Sequence, residues 1–152
     1  MNTPGFLRTI SLALLFGAAL SAQAVDIGLS SVGHYDYGNN PFEITGAVLL
    51  QQGGYGALDS LSVTFDPGTG DGSGTYTGAG GTLSFDIDFD DSLSDFNLNS
   101  LVLTWTWMAT GGSGTYMGAT GTGTIANSSQ TNPALTAVDA FTVFRGDVEA
   151  VP

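Results

Sequence analysis

Between residues 85 and 90 the chain alternates strictly. Phe85, Ile87 and Phe89 are apolar, and Asp86, Asp88 and Asp90 are acidic. A period of two predicts a strand with one face on a core and the other in water. Residues 42–50, 61–65, 82–89, 98–108, 121–126 and 140–148 are rich in Val, Ile, Thr, Phe, Tyr and Trp and are all predicted strands. In the longest, Leu101, Leu103, Trp105 and Trp107 share a face, and Val102, Thr104, Thr106 and Met108 share the other. The second face is less polar than that of the Asp strand, so this strand is expected to be central or covered on both sides. Beyond the first two dozen residues no window shows a helical apolar period. Many short strands with Gly-rich turns predict an all-β fold, a single antiparallel β-sandwich or small β-barrel.

An eleven-residue phrase occurs twice, forty positions apart: GSGTYTGAGGT at 72–82 and GSGTYMGATGT at 112–122. Each follows a related run, LSVTF at 61–65 and LVLTW at 101–105. The spacing predicts an internal duplication of about forty residues, with units near 61–100 and 101–140. Each phrase is expected to link two strands, its glycines freeing the turn and its tyrosine (Tyr76, Tyr116) plugging into the core. Tyr55, within GGYGA at 53–57, reads as a degenerate third copy.

The first 24 residues have the grammar of a signal peptide. Arg8 and the amino terminus are followed by an uncharged apolar run at 10–20 and by Ala22 and Ala24 at the positions a signal peptidase reads. Cleavage is expected after Ala24, leaving one domain over 25–152. The apolar run is too short to cross a hydrocarbon core of about 30 Å as a helix. Without cysteine, stability outside the cell has to come from packing and backbone pairing alone.

Charge narrows the partners. Lysine is absent, and after residue 24 Arg145 is the only basic side chain against fourteen Asp and Glu. Such a chain is expected to bind neither nucleic acid nor anionic membrane, both of which need clustered cations. Cations, extracellular polysaccharide and self-association remain as partners.

Candidate chemistry is sparse. Asp86, Asp88, Asp90, Asp91 and Asp95 are the candidate metal ligands, since Ca²⁺ takes several oxygens from a flexible loop. The spacing is not that of an EF-hand, because Asp91 stands where the loop glycine would be and Asn97 where the bidentate Glu would be. A strand with a solvated acidic face accounts for the same residues. Asp66 and Asp71 bound a second oxygen-rich loop, whose Asp-Pro-Gly start is ordinary turn chemistry. Trp105 and Trp107 could form an aromatic strip for sugar rings, although Leu101 and Leu103 continue that face as a core would. His34, in an expected edge strand, is the only histidine, and there is no Gly-x-Ser-x-Gly phrase, so no catalytic residue is assigned. Asn127 and Ser129 spell a glycosylation acceptor. Arg145-Gly146-Asp147 spells an integrin-binding tripeptide, read as chance, with Arg145 expected to pair with a carboxylate.

Two resemblances add to this reading. The second phrase, from Gly111 to Gly121, resembles one found in exported bacterial β proteins and in the allene oxide cyclase and dirigent barrel superfamily. It implies an antiparallel barrel-like fold and carries no activity. The whole layout, with its leader, its Gly-, Thr- and Asp-rich cysteine-free domain and a Val151-Pro152 ending, is similar to PEP-CTERM exported proteins. In that family Val-Pro leads into a sorting tail, which this sequence does not include. The resemblance implies a surface or matrix protein of a Gram-negative exopolysaccharide producer. The expected function is a non-enzymatic cell-surface or extracellular-matrix β protein with weak divalent-cation binding. The alternatives are a carbohydrate-binding module using Trp105 and Trp107, and a secreted glycosidase or barrel-type cyclase.

Overall fold

A computed structural model describes residues 23–96, 100–130 and 136–150. The leader reading falls, up to residue 22, outside the described residues, as do Val151 and Pro152. Among those described, the alternating runs form nine strands: β1 (Val25–Asp36), β2 (Phe42–Gly53), β3 (Ser60–Phe65), β4 (Gly72–Gly78), β5 (Gly81–Phe89), β6 (Asp95–Phe96), β7 (Leu101–Gly114), β8 (Thr120–Ser129) and β9 (Ala137–Glu149). A single 3₁₀ turn, Asp91–Leu93, precedes β6.

Eight of the strands close an antiparallel barrel. Neighbours in the chain pair in order, β9 pairs with β1, and β5 pairs with β7. The short β6 continues along the edge of β7 beyond the end of β5. Of the two all-β architectures open to the sequence, the barrel is the one formed. Closure gives each barrel strand two partners, so no long edge is left to template aggregation. It also moves His34, expected on an edge, to a central position in β1 between β2 and β9.

The interior follows from the alternation. Ile27, Leu29, Val63, Tyr76, Leu83, Phe85, Trp105, Trp107, Ile125, Phe144 and Val148 all point inward and are fully buried. Their rings stack in tiers. Tyr35, Phe42, Phe65, Phe89 and Trp105 meet at one end, with centroids 5.2–6.0 Å apart. Tyr76, Phe85, Trp107 and Phe144 fill the middle, where Trp107 stacks on Phe144 at 4.3 Å. Tyr55 and Tyr116 meet edge-on at the other end, 6.2 Å apart. Each buried aromatic removes roughly 150–250 Å² from water, so these tiers dominate stability. Outward positions carry many Asp, Ser and Thr residues, together with the exposed apolar side chains Val32, Leu49, Leu50, Met108 and Phe141. No helix among the described residues is long and apolar enough to cross a membrane.

The first glycine phrase corrects one expectation. It is not only a linker, because residues 72–78 are the strand β4, paired on both sides with β3 and β5. Glycine weakens a strand, but Gly74 sits where a Cβ would lie 2.5 Å from the Phe85 ring, so the missing side chain makes room for the core. In the second copy, residues 112–114 end β7 and a turn at 115–118 leads into β8. The two copies therefore adopt different local structures, although both tyrosines are fully buried as expected.

Candidate functional site

Because the strands alternate in direction, the connections β1–β2, β3–β4, β5–β7 and β8–β9 lie at one end of the barrel. Two of them carry acids. In the β3–β4 loop, Asp66 accepts from the Gly68 amide through Oδ1 (2.6 Å) and from the Gly70 amide through its carbonyl (2.6 Å). After β5, Asp90 caps the 3₁₀ turn, its Oδ1 accepting from the amide (3.0 Å) and hydroxyl (2.6 Å) of Ser92. The Trp105 indole N–H donates to the Gly70 carbonyl at 2.8 Å, tying the first loop to the wall beside the second. Asp66 and Asp71 thus behave as turn formers, which is how the sequence reads them.

The five candidate ligands do not converge. Asp86 and Asp88 project outward from β5, opposite Met108 and Thr106, and alternation alone separates successive outward residues by about 7 Å. Asp90 is occupied by Ser92, Asp91 lies exposed in the turn, and Asp95 starts β6. Among the described residues no three carboxylate or imidazole groups are placed to hold a metal ion together. What the arrangement offers is a set of carboxylates spread along the outside of β5 and the turn that follows it.

Trp105 and Trp107 are 1% and 2% exposed, so neither presents a face to a sugar ring. The platform expectation is corrected: the inward face that begins with Leu101 and Leu103 is core along its whole length. Both indoles find their hydrogen bonds inside, Trp107 donating to the Arg145 carbonyl at 3.0 Å. The outer face of β7 is covered only locally. Thr104 is buried beneath the 3₁₀ turn, its hydroxyl donating to Leu93 O (3.1 Å) and its amide to Ser94 Oγ (3.0 Å), whereas Met108 is exposed.

At the opposite end the repeated phrases touch. Gly81 pairs with Gly114 and Thr82 with Ser113, and the Thr115 hydroxyl donates to Gly80 O at 2.8 Å. Gly81 has φ +116°, and a Cβ there would fall 2.1 Å from the Ser113 carbonyl oxygen, so glycine is required. Tyr116 fastens the third tyrosine loop, its hydroxyl donating to Gly56 O (2.7 Å) and accepting from the Tyr55 and Gly56 amides (3.2 Å each). This triple bond set explains a buried tyrosine inside a turn.

Other singled-out residues are dispersed. His34 Nδ1 lies 3.3 Å from Asp139 Oδ1, both side chains exposed on the outer surface. Arg145 is exposed and forms no ion pair among the described residues, contrary to the expected carboxylate partner. Asn127 is fully buried with its amide donating to Thr142 Oγ1 at 2.9 Å, so the glycosylation phrase is inaccessible in the folded chain. One pair was missed from sequence. Asp26 and Asp147, 121 positions apart, face each other across β1 and β9. Asp147 is held above the usual carboxylate range, first by a hydrogen bond to Asp26, then by desolvation and by the Asp26 charge. Only the closing register brings them together, and no local pattern signals it.

Family models, curated proteins and solved structures yield no match to this chain, so its function rests on its own geometry.

Proposed function

We propose that this chain is an exported, non-enzymatic β-barrel protein of the cell surface or extracellular matrix, related in layout to PEP-CTERM proteins, that associates loosely with divalent cations. The observation carrying the proposal is the division of the barrel: aromatic tiers fill the interior, while separate carboxylates lie on the outside and in the loops of one end. A filled interior favours a scaffold over a container for a large ligand. An outer surface rich in Asp, Ser and Thr with almost no cations stays hydrated over most of its area, and divalent ions can link its carboxylates to anionic polysaccharide or to a second copy. The leader pattern at 1–24 supplies the route to the exterior.

Fractionation of the producing cells with mass determination tests the address. The protein is expected outside the cytoplasm with Val25 as its first residue; an intact amino terminus in the cytoplasm overturns the export reading. Millimolar CaCl₂ is expected to raise the melting temperature more than NaCl of equal ionic strength. Equal effects of the two salts would remove cation binding and leave only charge screening.

A further inference from the structure

Four polar atoms are sealed inside the barrel without a hydrogen-bond partner in the protein: Ser31 Oγ, Tyr76 OH, Asn127 Oδ1 and Ser129 Oγ. Their residues are 1%, 0%, 0% and 4% exposed. They are not scattered. Ser31 on β1, Thr142 on β9 and Asn127 on β8 are direct neighbours in one row across the wall. Ser129 is the next inward residue of β8, two positions on. Tyr76 reaches this wall from β4 opposite: its ring packs on Phe144 of β9 at 5.1 Å, and burial pushes its phenol up, a rise partly countered by an interaction with the Ser31 hydroxyl that falls short of full hydrogen-bond geometry.

Each orphaned buried polar group costs about 1–3 kcal/mol, and whole domains are stable by only about 5–15 kcal/mol. Even with Ser31 and Tyr76 in partial contact, the Asn127 and Ser129 oxygens have no partner, and their cost is a sizeable part of that margin. Native interiors resolve such groups with a bound molecule that makes about three hydrogen bonds. The chemistry of the lining specifies the occupant. Three hydroxyls offer donors and acceptors, and the Asn127 carbonyl oxygen offers an acceptor beside an amide nitrogen that gives one of its two protons to Thr142. None of these groups is ionised, so a charged ligand would have no counter-ion there.

We infer that the Ser31–Asn127–Ser129 wall and the facing Tyr76 hydroxyl form an internal binding site for a small neutral hydrogen-bonding molecule: ordered water, or a small alcohol of the same chemistry. The site is distinct from the acidic exterior and stands whether or not the surface function proposed above is right.

Water-to-protein cross-relaxation NMR on the purified protein, joined to native mass spectrometry, tests this without any variant. Contacts from long-lived water to the Asn127 amide protons or the Tyr76 ring identify water as the occupant. A constant extra mass of a small neutral molecule identifies an organic one. Absence of both overturns the inference and means that the four groups pair among themselves by side-chain rotation. The double substitution Ser31→Ala with Ser129→Ala localises the site. With the fold retained by circular dichroism, the signal at Asn127 is expected to fall by at least half, and an unchanged signal would place the bound molecule elsewhere and overturn the assignment.

Discussion

Asp147 shows how a single residue can oppose the fold that positions it. It meets Asp26 across the β1–β9 ladder, where like charges are unfavourable, and a hydrogen bond to Asp26 favours the protonated form of Asp147. Its folded pKa is therefore raised, and the folded chain holds a proton there that the unfolded chain releases. Stability falls as pH rises from the ordinary aspartate value of about 3.9 through the raised folded value, and the loss is complete above it. Asp147→Asn is accordingly expected to raise the melting temperature at pH 7 and to lose that advantage near pH 3. Melts across this range decide the matter; an advantage that persists at pH 3, or never appears at pH 7, would mean that Asp26 does not raise the pKa of Asp147. The sequence singles out Asp147 only as the end of the Arg145-Gly146-Asp147 tripeptide, and nothing in it points to Asp26 as a partner. Each sits in an ordinary alternation, and their encounter is a product of barrel closure.

Elements were legible where side chains alternate and obscure where backbone does the work. The run from Phe85 to Phe89 faces inward and outward as its letters say, with Phe85 and Ile87 buried and Asp86 and Asp88 exposed. β4 was hidden because glycine disfavours strands in general, whereas here Gly74 clears space for the Phe85 ring. The same device holds Trp107. Gly123 of β8 and Gly146 of β9 are cross-strand partners beside it, and the indole occupies the slot they leave. A Cβ on Gly123 would lie 2.0 Å from Arg145 O and 2.7 Å from Trp107 Nε1. Gly123→Val should therefore destabilise the protein by about 1–3 kcal/mol through overpacking. It should also shift tryptophan emission to the red as the indole leaves Phe144. Gly28→Ala is the control, because its added Cβ meets only Gln52 Cβ, at 3.9 Å. Urea titration followed by fluorescence separates the two, and a Gly123→Val protein as stable as the control would show that the slot has slack. The sequence placed both tryptophans on the core face but could not say what receives them, since the receiving surface is an absence of side chains.

The whole molecule carries an imbalance that no single contact reveals. Fourteen acids face one Arg145 after residue 24, and nearly all lie on the outer surface or in the loops. At 0.01 M ionic strength the screening length is about 30 Å, so these charges repel one another across the barrel; at 0.15 M it is about 8 Å and only near neighbours interact. Self-repulsion disfavours the compact state, because an unfolded chain spreads its charges farther apart. Raising NaCl from 0.01 to 0.15 M at pH 7 is therefore expected to raise the melting temperature. If screening returns about 1 kcal/mol, the shift should be about 2–8 °C for a domain of this size. Below the aspartate range the carboxylates are protonated and the same salt step should do almost nothing. That contrast separates charge screening from the general strengthening of apolar burial by salt, which would act at both pH values. A melting temperature that responds equally at pH 7 and pH 3 would mean that the acidic coat does not limit stability. The aromatic tiers would then set the melting point unaided.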